Sequence, residues 1–325
     1  MKKKILLLII LSFSIVLTSN FNFVYSEDVK YYLGGYPVGI ELTTRGALVV
    51  GTCDVVAENG VDSPSKKIGI SAGDRIMYID SFEINDAFDI ENAIKTGGEK
   101  TVIIKRNDEI INCKLTPVKD MTGCYKIGVF VKNGINGIGT ITYFNDRGDF
   151  ASLGHPVFLN DKIAEIKKGN LYFCSITGFV KGEYSKPGEL KGVFIKDKII
   201  GNIYKNQSNG VFGQLNQDYC YKNMREVQLG DGLVGEAVIY TTINGTAPKE
   251  YSVSIIKVDS KEGSLKNYVI KVTDKELISQ TGGIVQGMSG SPIMQSGKLI
   301  GAITHVFTND PTRGFGISIN NMIDN

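Results

Sequence analysis

The chain has 325 residues, 42% of them hydrophobic and 22% charged, with a net charge of only +2. These values exclude a disordered chain and leave no electrostatic footprint for a nucleic-acid partner. With 38 Gly, 15 Tyr, 15 Phe and no Trp, many short strands joined by turns are expected, in a chain long enough for two domains.

The N-terminus stands apart. "MKKK" is a basic start, and an apolar run follows from Ile5 to Leu17. That run is short for a spanning helix and suits a secretory segment, with "VYS" at 24–26 offering residues for cleavage. Residues 1–26 are read as a signal peptide or membrane anchor, the sequence admitting both, and the remainder as exported. Five cysteines (Cys53, Cys113, Cys124, Cys174, Cys220) are scattered, with no CxxC pair, which argues against a zinc ribbon. A Cys113–Cys124 disulfide and isolated buried thiols both remain open. No metal-ligand cluster or cofactor motif stands out, so neither a metal nor a cofactor is expected.

The exported part opens with "YYLGGYPVGIEL", followed by the strand-like "GALVVGTCDVV" and by "SPSKKIGISAGDRIMYIDSFEI". In "NDAFDIENAIK" the apolar positions Phe88, Ile90, Ala93 and Ile94 predict a short amphipathic helix. "KTVIIKRNDEIINCKLTPV" reads as a hairpin turning at "RNDE". From residue 125 to 325 short β-like runs recur between glycine-rich turns, among them "IGVFVK", "GVFIK", "KIIGNIY", "EYSVSIIKV" and "KLIGAITHVF". That rhythm predicts an all-β barrel or a pair of barrels. "GINGIGT" at 134–140 reads as a hairpin turn.

The stretch "VQGMSGSPIM" at 285–294 raises the question of chemistry. A serine becomes a nucleophile only with a base in reach, an orienting group behind the base, and donors aimed at the developing oxyanion. There are two histidines. His155 lies between Gly154 and Pro156, which mark a turn, and precedes the serine in the chain. His305 suits substrate contact or a structural role. The acidic partner is not singled out by the residues themselves, because Asp146, Asp149, Asp161, Asp231, Asp274 and Asp310 all compete.

Two resemblances narrow these readings. "GISAGDRIMYIDSFEI", the helix-like stretch and "VIIKRNDEIINCKLTPV" resemble a PDZ domain over residues 30–118. By that resemblance "GYPVGIEL" at 35–42 is the loop binding a chain-terminal carboxylate, with Pro37, Val38, Gly39 and Ile40 at the groove. "GMSGSP" resembles the "GDSGGP" loop of chymotrypsin-like proteases. It implies Ser289 as nucleophile, the N–H groups of Gly287 and Ser289 as oxyanion hole, and Ser291 as a turn residue. Met288 replaces the usual acidic residue, so no activating N-terminus is expected against it.

The whole constellation, with "SLGHP", "VTDKELISQTGGIVQGMSGSPI" and "THVFTNDPTRGFGISI", is similar to the stage IV sporulation protein B (SpoIVB) peptidase family. That implies a mainly β protein, a PDZ domain followed by a chymotrypsin-like double β-barrel over residues 125–325. The implied catalytic set is His155, Asp274 and Ser289, and Asp274 rests on this resemblance alone. The implied activity is a sporulation-signalling serine endopeptidase acting between forespore and mother-cell membranes. Its substrate is a regulatory partner of a membrane-embedded metalloprotease, leading to sigma factor K activation. The implied partners also include its own N-terminal region, through self-cleavage, and the membrane, through the N-terminal segment. A non-catalytic PDZ/barrel binding protein and an HtrA-like quality-control protease are the alternatives.

Overall fold

Strands β1 (Tyr31–Leu33) and β2 (Pro37–Thr44) belong to a barrel whose other strands come almost a hundred residues later. The computed structural model describes residues 29–132, 134–159, 161–216, 224–261 and 263–323. The expected signal or anchor segment at 1–26 and Cys220 lie outside the described residues. No helix among the described residues is long and apolar enough to cross a membrane.

After β2 the chain leaves to build a small domain. Its strands β3 (Ala47–Thr52), β4 (Arg75–Ile79), β5 (Lys100–Arg106), β6 (Glu109–Leu115) and β7 (Val129–Lys132) lie in the order β7-β3-β4-β5-β6. Helix α1 (Ala87–Ile94) starts at Asp86, whose side chain accepts from Asp89 N, and buries Ile90, Ala93 and Ile94. Phe88, expected on the same face, is 69% exposed, because the helix is only eight residues long and its contact stripe is narrow. Asp74 of "AGDR" is 1% exposed and grips the Arg106 guanidinium at 2.7 and 2.8 Å. Burial pushes its pKa up, but Arg106 and the Ser71 amide outweigh that and hold it below the ordinary value.

The chain then returns in β8 (Ile135–Asn145), which pairs with β2 from Leu42↔Ile135 to Pro37↔Thr140. The small domain is therefore an insertion between two neighbouring barrel strands. This corrects the expected boundaries. The inserted domain occupies residues 47–132 rather than 30–118, and the barrels take up residues 31–44 as well as 135–323. "IGVFVK" forms an edge strand of the small domain. "GINGIGT" is strand, not turn, because pairing with β2 holds it in register.

Strands β9 (Asp149–Ser152), β10 (Ile166–Val180), β11 (Glu189–Gln207) and β12 (Gly210–Leu215) complete the first barrel in the order β9-β12-β11-β10-β2-β8, closed by β8–β9 pairing. "GVFIK" and "KIIGNIY", expected as two strands, both fall within β11, whose register shifts near residue 199. Strand β13 (Glu226–Leu229), with β1, bridges to the second barrel. That barrel comprises β14 (Gly235–Thr241), β15 (Lys249–Val258), β16 (Tyr268–Val272), β17 (Pro292–Gln295), β18 (Lys298–Phe307) and β19 (Asp310–Ser318). Its order is β18-β17-β14-β15-β16-β19, closed by β18–β19 pairing. Helix α2 (Lys275–Thr281) connects β16 to the "TGGIVQGMSG" loop.

Each barrel has its own core. The first packs Val38, Ile40, Leu42, Phe144, Phe150 and Leu171, and the second Ile239, Tyr251, Ile270, Leu277, Met288 and Ile293. Between them lies a third cluster, including Tyr143, Phe212, Met294 and Met322, which seals the barrels together. Burying side chains of this size is worth roughly 1.5–3 kcal/mol each. Two closed barrels of antiparallel strands joined in this way form the expected chymotrypsin-like, mainly β architecture.

Candidate active site

One cleft at the seam of the barrels is lined by His155, Ser289 and His305, with Ile40, Ile138 and Leu153 from the first barrel and Ile284, Val285 and Val306 from the second. His155 follows β9, at a bend after Leu153 and Gly154, both of which have positive φ. The ring is half-buried, and its Nδ1 donates to Pro156 O at 2.9 Å. A carbonyl can only accept, so Nδ1 carries the hydrogen and Nε2 keeps a free lone pair. Burial lowers the His155 pKa, against a smaller opposing effect of the Pro156 carbonyl, so the neutral base persists below the ordinary histidine range.

Ser289 sits in a loop made of consecutive tight contacts. Gly287 has φ +97°, a conformation that side chains disfavour. Gly290 has φ +93°, and a Cβ there would lie 2.0 Å from Thr140 O. Glycine at 290 is thus a condition for laying this loop against β8. Among the described residues, no acceptor takes the N–H of Gly287 or of Ser289, and both residues line the cleft. Met288 between them is fully buried in the second barrel's core, which is why an apolar residue replaces an acidic one there. The Ser289 hydroxyl donates to Thr304 O at 2.7 Å. Ser291 is 0% exposed and faces away from solvent, a turn residue.

His305 stands beside His155, with ring centroids 4.6 Å apart. Its pKa is pushed down to about 4, first by burial, then by the His155 and Lys266 charges. It is neutral at ordinary pH and forms a wall of the cleft.

Asp274 lies elsewhere. Its Oδ1 accepts from Leu277 N at 2.9 Å, capping α2, and its Oδ2 from Ser252 N at 3.4 Å. It does not line the cleft. The resemblance's acid is thus a helix cap here, because "VTDKEL" is a strand-to-helix junction whose orphan amides its carboxylate satisfies.

The expected carboxylate groove at Pro37, Val38, Gly39 and Ile40 is also corrected. These residues are buried in β2, paired on both edges, with Gly39 opposite Ile138 and Tyr172. A Cβ at Gly39 would meet the Phe194 ring at 2.6 Å, so this glycine serves barrel packing. The small domain has a different groove, between α1 and edge strand β7, lined by Ile90, Ile94, Ile127, Val129 and Val131. Phe130 on β7 is 58% exposed beside it. "YKIGVF" at 125–130 was the available signal, an apolar run after a glycine that the barrel reading absorbed.

Cys53, Cys113, Cys124 and Cys174 are free thiols, so no Cys113–Cys124 disulfide forms. No cluster suited to a metal ion occurs among the described residues. Thr140 and Thr142 were missed by sequence reasoning. Their hydroxyls donate to Gly287 O at 2.9 Å and Gly290 O at 2.7 Å, holding the serine loop onto the first barrel.

A family described as SpoIVB peptidase S55 matches residues 123–323. Among solved structures, an HtrA-type protease AlgW with decapeptide is similar at 12% identity and a TM-score of 0.33. The match covers 62% of this chain and 55% of that one, so the chain spans little more than half of that protein. The family match takes in His155, Asp274, the whole "GMSG" loop and His305, and the chain belongs to the SpoIVB peptidase S55 family of serine peptidases.

Proposed function

We propose that the protein is an exported serine endopeptidase with Ser289 as nucleophile and His155 as base. The observation that carries this reading is the pair of N–H groups at Gly287 and Ser289 that no acceptor takes among the described residues, in one cleft with a histidine whose tautomer leaves Nε2 a lone pair. His155 takes the Ser289 proton as the Oγ–carbon bond forms, and the two N–H groups receive the charge on the carbonyl oxygen. The C–N bond then breaks, and the imidazolium gives its proton to the leaving amine. Water attacks the ester with the same proton path and frees the acid. The apolar lining by Ile40, Ile138, Leu153, Ile284 and Val306 favours aliphatic side chains beside the scissile bond. A fluorophosphonate probe tests the assignment: it labels wild type at Ser289 and leaves a folded Ser289→Ala chain unlabelled. Labelling of that variant at wild-type rate would overturn it.

Family membership supports sporulation signalling as the setting, with a regulatory partner of a membrane metalloprotease as substrate and self-cleavage near the N-terminus. The α1–β7 groove is the part suited to recruiting an extended segment of that substrate or of the chain's own N-terminal region. An extended peptide adds to the edge of β7 through main-chain hydrogen bonds, with α1 covering its side chains. Mixing purified wild-type and Ser289→Ala chains and mapping the cleavage products by mass tests self-processing. An Ser289→Ala chain left intact by active wild type would rule out processing between molecules.

A further inference from the structure

The serine loop consists of three consecutive peptide planes, and each carbonyl is tied down. Gln286 O accepts from Leu190 N at 2.8 Å, Gly287 O from the Thr140 hydroxyl at 2.9 Å, and Met288 O from Ser291 N at 2.9 Å. In a trans peptide the C=O and N–H point in opposite directions. Tying the first and third carbonyls therefore aims the N–H groups of Gly287 and Ser289 the other way. The middle plane links them, because rotating it changes ψ of Gly287 and φ of Met288 and turns the two donors relative to each other. Its N–H is held by Val285 O at 3.1 Å within the loop. Among the described residues, its carbonyl is held by Thr140 alone.

Thr140 is well fixed for that task. It is 1% exposed, its N–H donates to Ser289 O at 3.0 Å, and its own carbonyl accepts from Ser152 Oγ at 2.7 Å. It belongs to β8 of the first barrel, so it sets the loop of one barrel against the frame of the other. We propose that Thr140 is a positioning residue of the oxyanion hole, its hydroxyl fixing the Gly287–Met288 peptide so that both donors converge on one point. An apolar side chain of the same shape leaves the part-buried Gly287 carbonyl without a donor, and rotation of the plane is the simplest relief. This inference rests on the reading of Ser289 as nucleophile.

The test compares wild type, Thr140→Val and Thr140→Ser by fluorophosphonate labelling against probe concentration. The probe's phosphoryl oxygen occupies the oxyanion position while the Oγ–P bond forms and fluoride leaves. Loss of a whole oxyanion donor costs about 10²–10³-fold; misalignment of two is expected to lower the limiting labelling rate of Thr140→Val by about 10–100-fold. The half-saturating probe concentration stays within about threefold of wild type, a split that general destabilisation does not produce. Thr140→Ser keeps the hydroxyl and stays within about threefold of the wild-type rate. The acid-side ionisation of the rate stays in place, because the base is untouched. Thr140→Ala, which introduces no steric demand, is the alternative should the valine chain not fold. Wild-type rates in a folded Thr140→Val or Thr140→Ala chain would overturn the inference while leaving the peptidase reading standing. An unlabelled wild type would overturn both.

Discussion

The two barrels divide the work unequally. The first is open-handed: its strands β2 and β8 are interrupted by an inserted domain, and it contributes His155 and the hydroxyls of Thr140 and Thr142. The second is compact in sequence and contributes the serine loop, with Gly287 and Ser289, and His305. Neither barrel forms the cleft by itself. Ser289 is carried on one frame and its loop is held from the other, so the geometry of the cleft depends on the relative placement of the two barrels.

The comparison is expected to break most completely at Ser289 and His155. Ser289→Ala or His155→Ala removes activity by on the order of 10⁵-fold or more, whereas the thermal midpoint moves by only a few degrees, because both side chains face the cleft rather than a core. Steady-state proteolysis beside a thermal melt checks both halves of that statement.

A backbone contact between the barrels comes next. Gly290→Ala places a methyl group 2.0 Å from Thr140 O at a φ of +93°, so the loop must shift off β8. Labelling is expected to fall by about 10²–10³-fold, the scale of losing an oxyanion donor. A wild-type rate in this variant would mean that the first barrel does not position the loop.

Asp274 sharpens the contrast between cap and charge. Asparagine is as good an N-cap as aspartate, so Asp274→Asn retains stability and stays within about tenfold of wild-type kcat, while Asp274→Ala loses about 1 kcal/mol of stability. Denaturant titrations and turnover numbers of the two variants separate the roles. A drop in the Asn variant near 10⁴-fold, the loss seen when a triad aspartate is amidated, would place the carboxylate in the proton transfer.

Titration is the gentler probe. Because burial lowers the His155 pKa, activity rises with pH through an ionisation below the ordinary value near 6.5 and is flat above it. His305 is lowered to about 4 in the folded chain, so the unfolded chain binds more protons between that pH and 6.5. Its contribution to stability is thus fully present above pH 6.5 and is lost progressively as pH falls to about 4. His305→Phe keeps a ring beside His155 and removes that part of the pH dependence, which melts across pH 4–8 resolve.

The smallest effect separates the barrels from the inserted domain. Phe130→Asp on edge strand β7 is expected to weaken cleavage of a full-length protein substrate several-fold and to leave Ser289 labelling unchanged, since recruitment contributes only local concentration. Equal loss on both readouts would make the small domain a support for the barrels instead.

Local signals were legible where one segment contains both cause and effect. The helix at 87–94 was visible from its apolar spacing, the hairpin at "RNDE" from its polar turn, and the "GMSG" loop from glycines that its own backbone geometry requires. The insertion was hidden because its proof is the pairing of Leu42 with Ile135, ninety-three positions apart, and β pairing leaves no mark on either strand alone. The groove was misplaced for the same reason. "GYPVGIEL" and "YKIGVF" both carry glycine among apolar residues, and only strand neighbours distinguish a buried barrel strand from an exposed edge.

The sequence by itself determined the class of fold, the candidate nucleophile and the candidate base, because strand rhythm, a "GMSGSP" loop and a "GHP" turn are short-range chemistry. Tertiary structure alone decided what surrounds them. It linked the Asp274 carboxylate to Ser252 N, set His305 beside His155, and brought Thr140 to the serine loop from almost 150 positions away. Hydrogen-bond partners of that kind depend on closing two barrels and packing them together, and closure is a property of the whole chain rather than of any stretch within it.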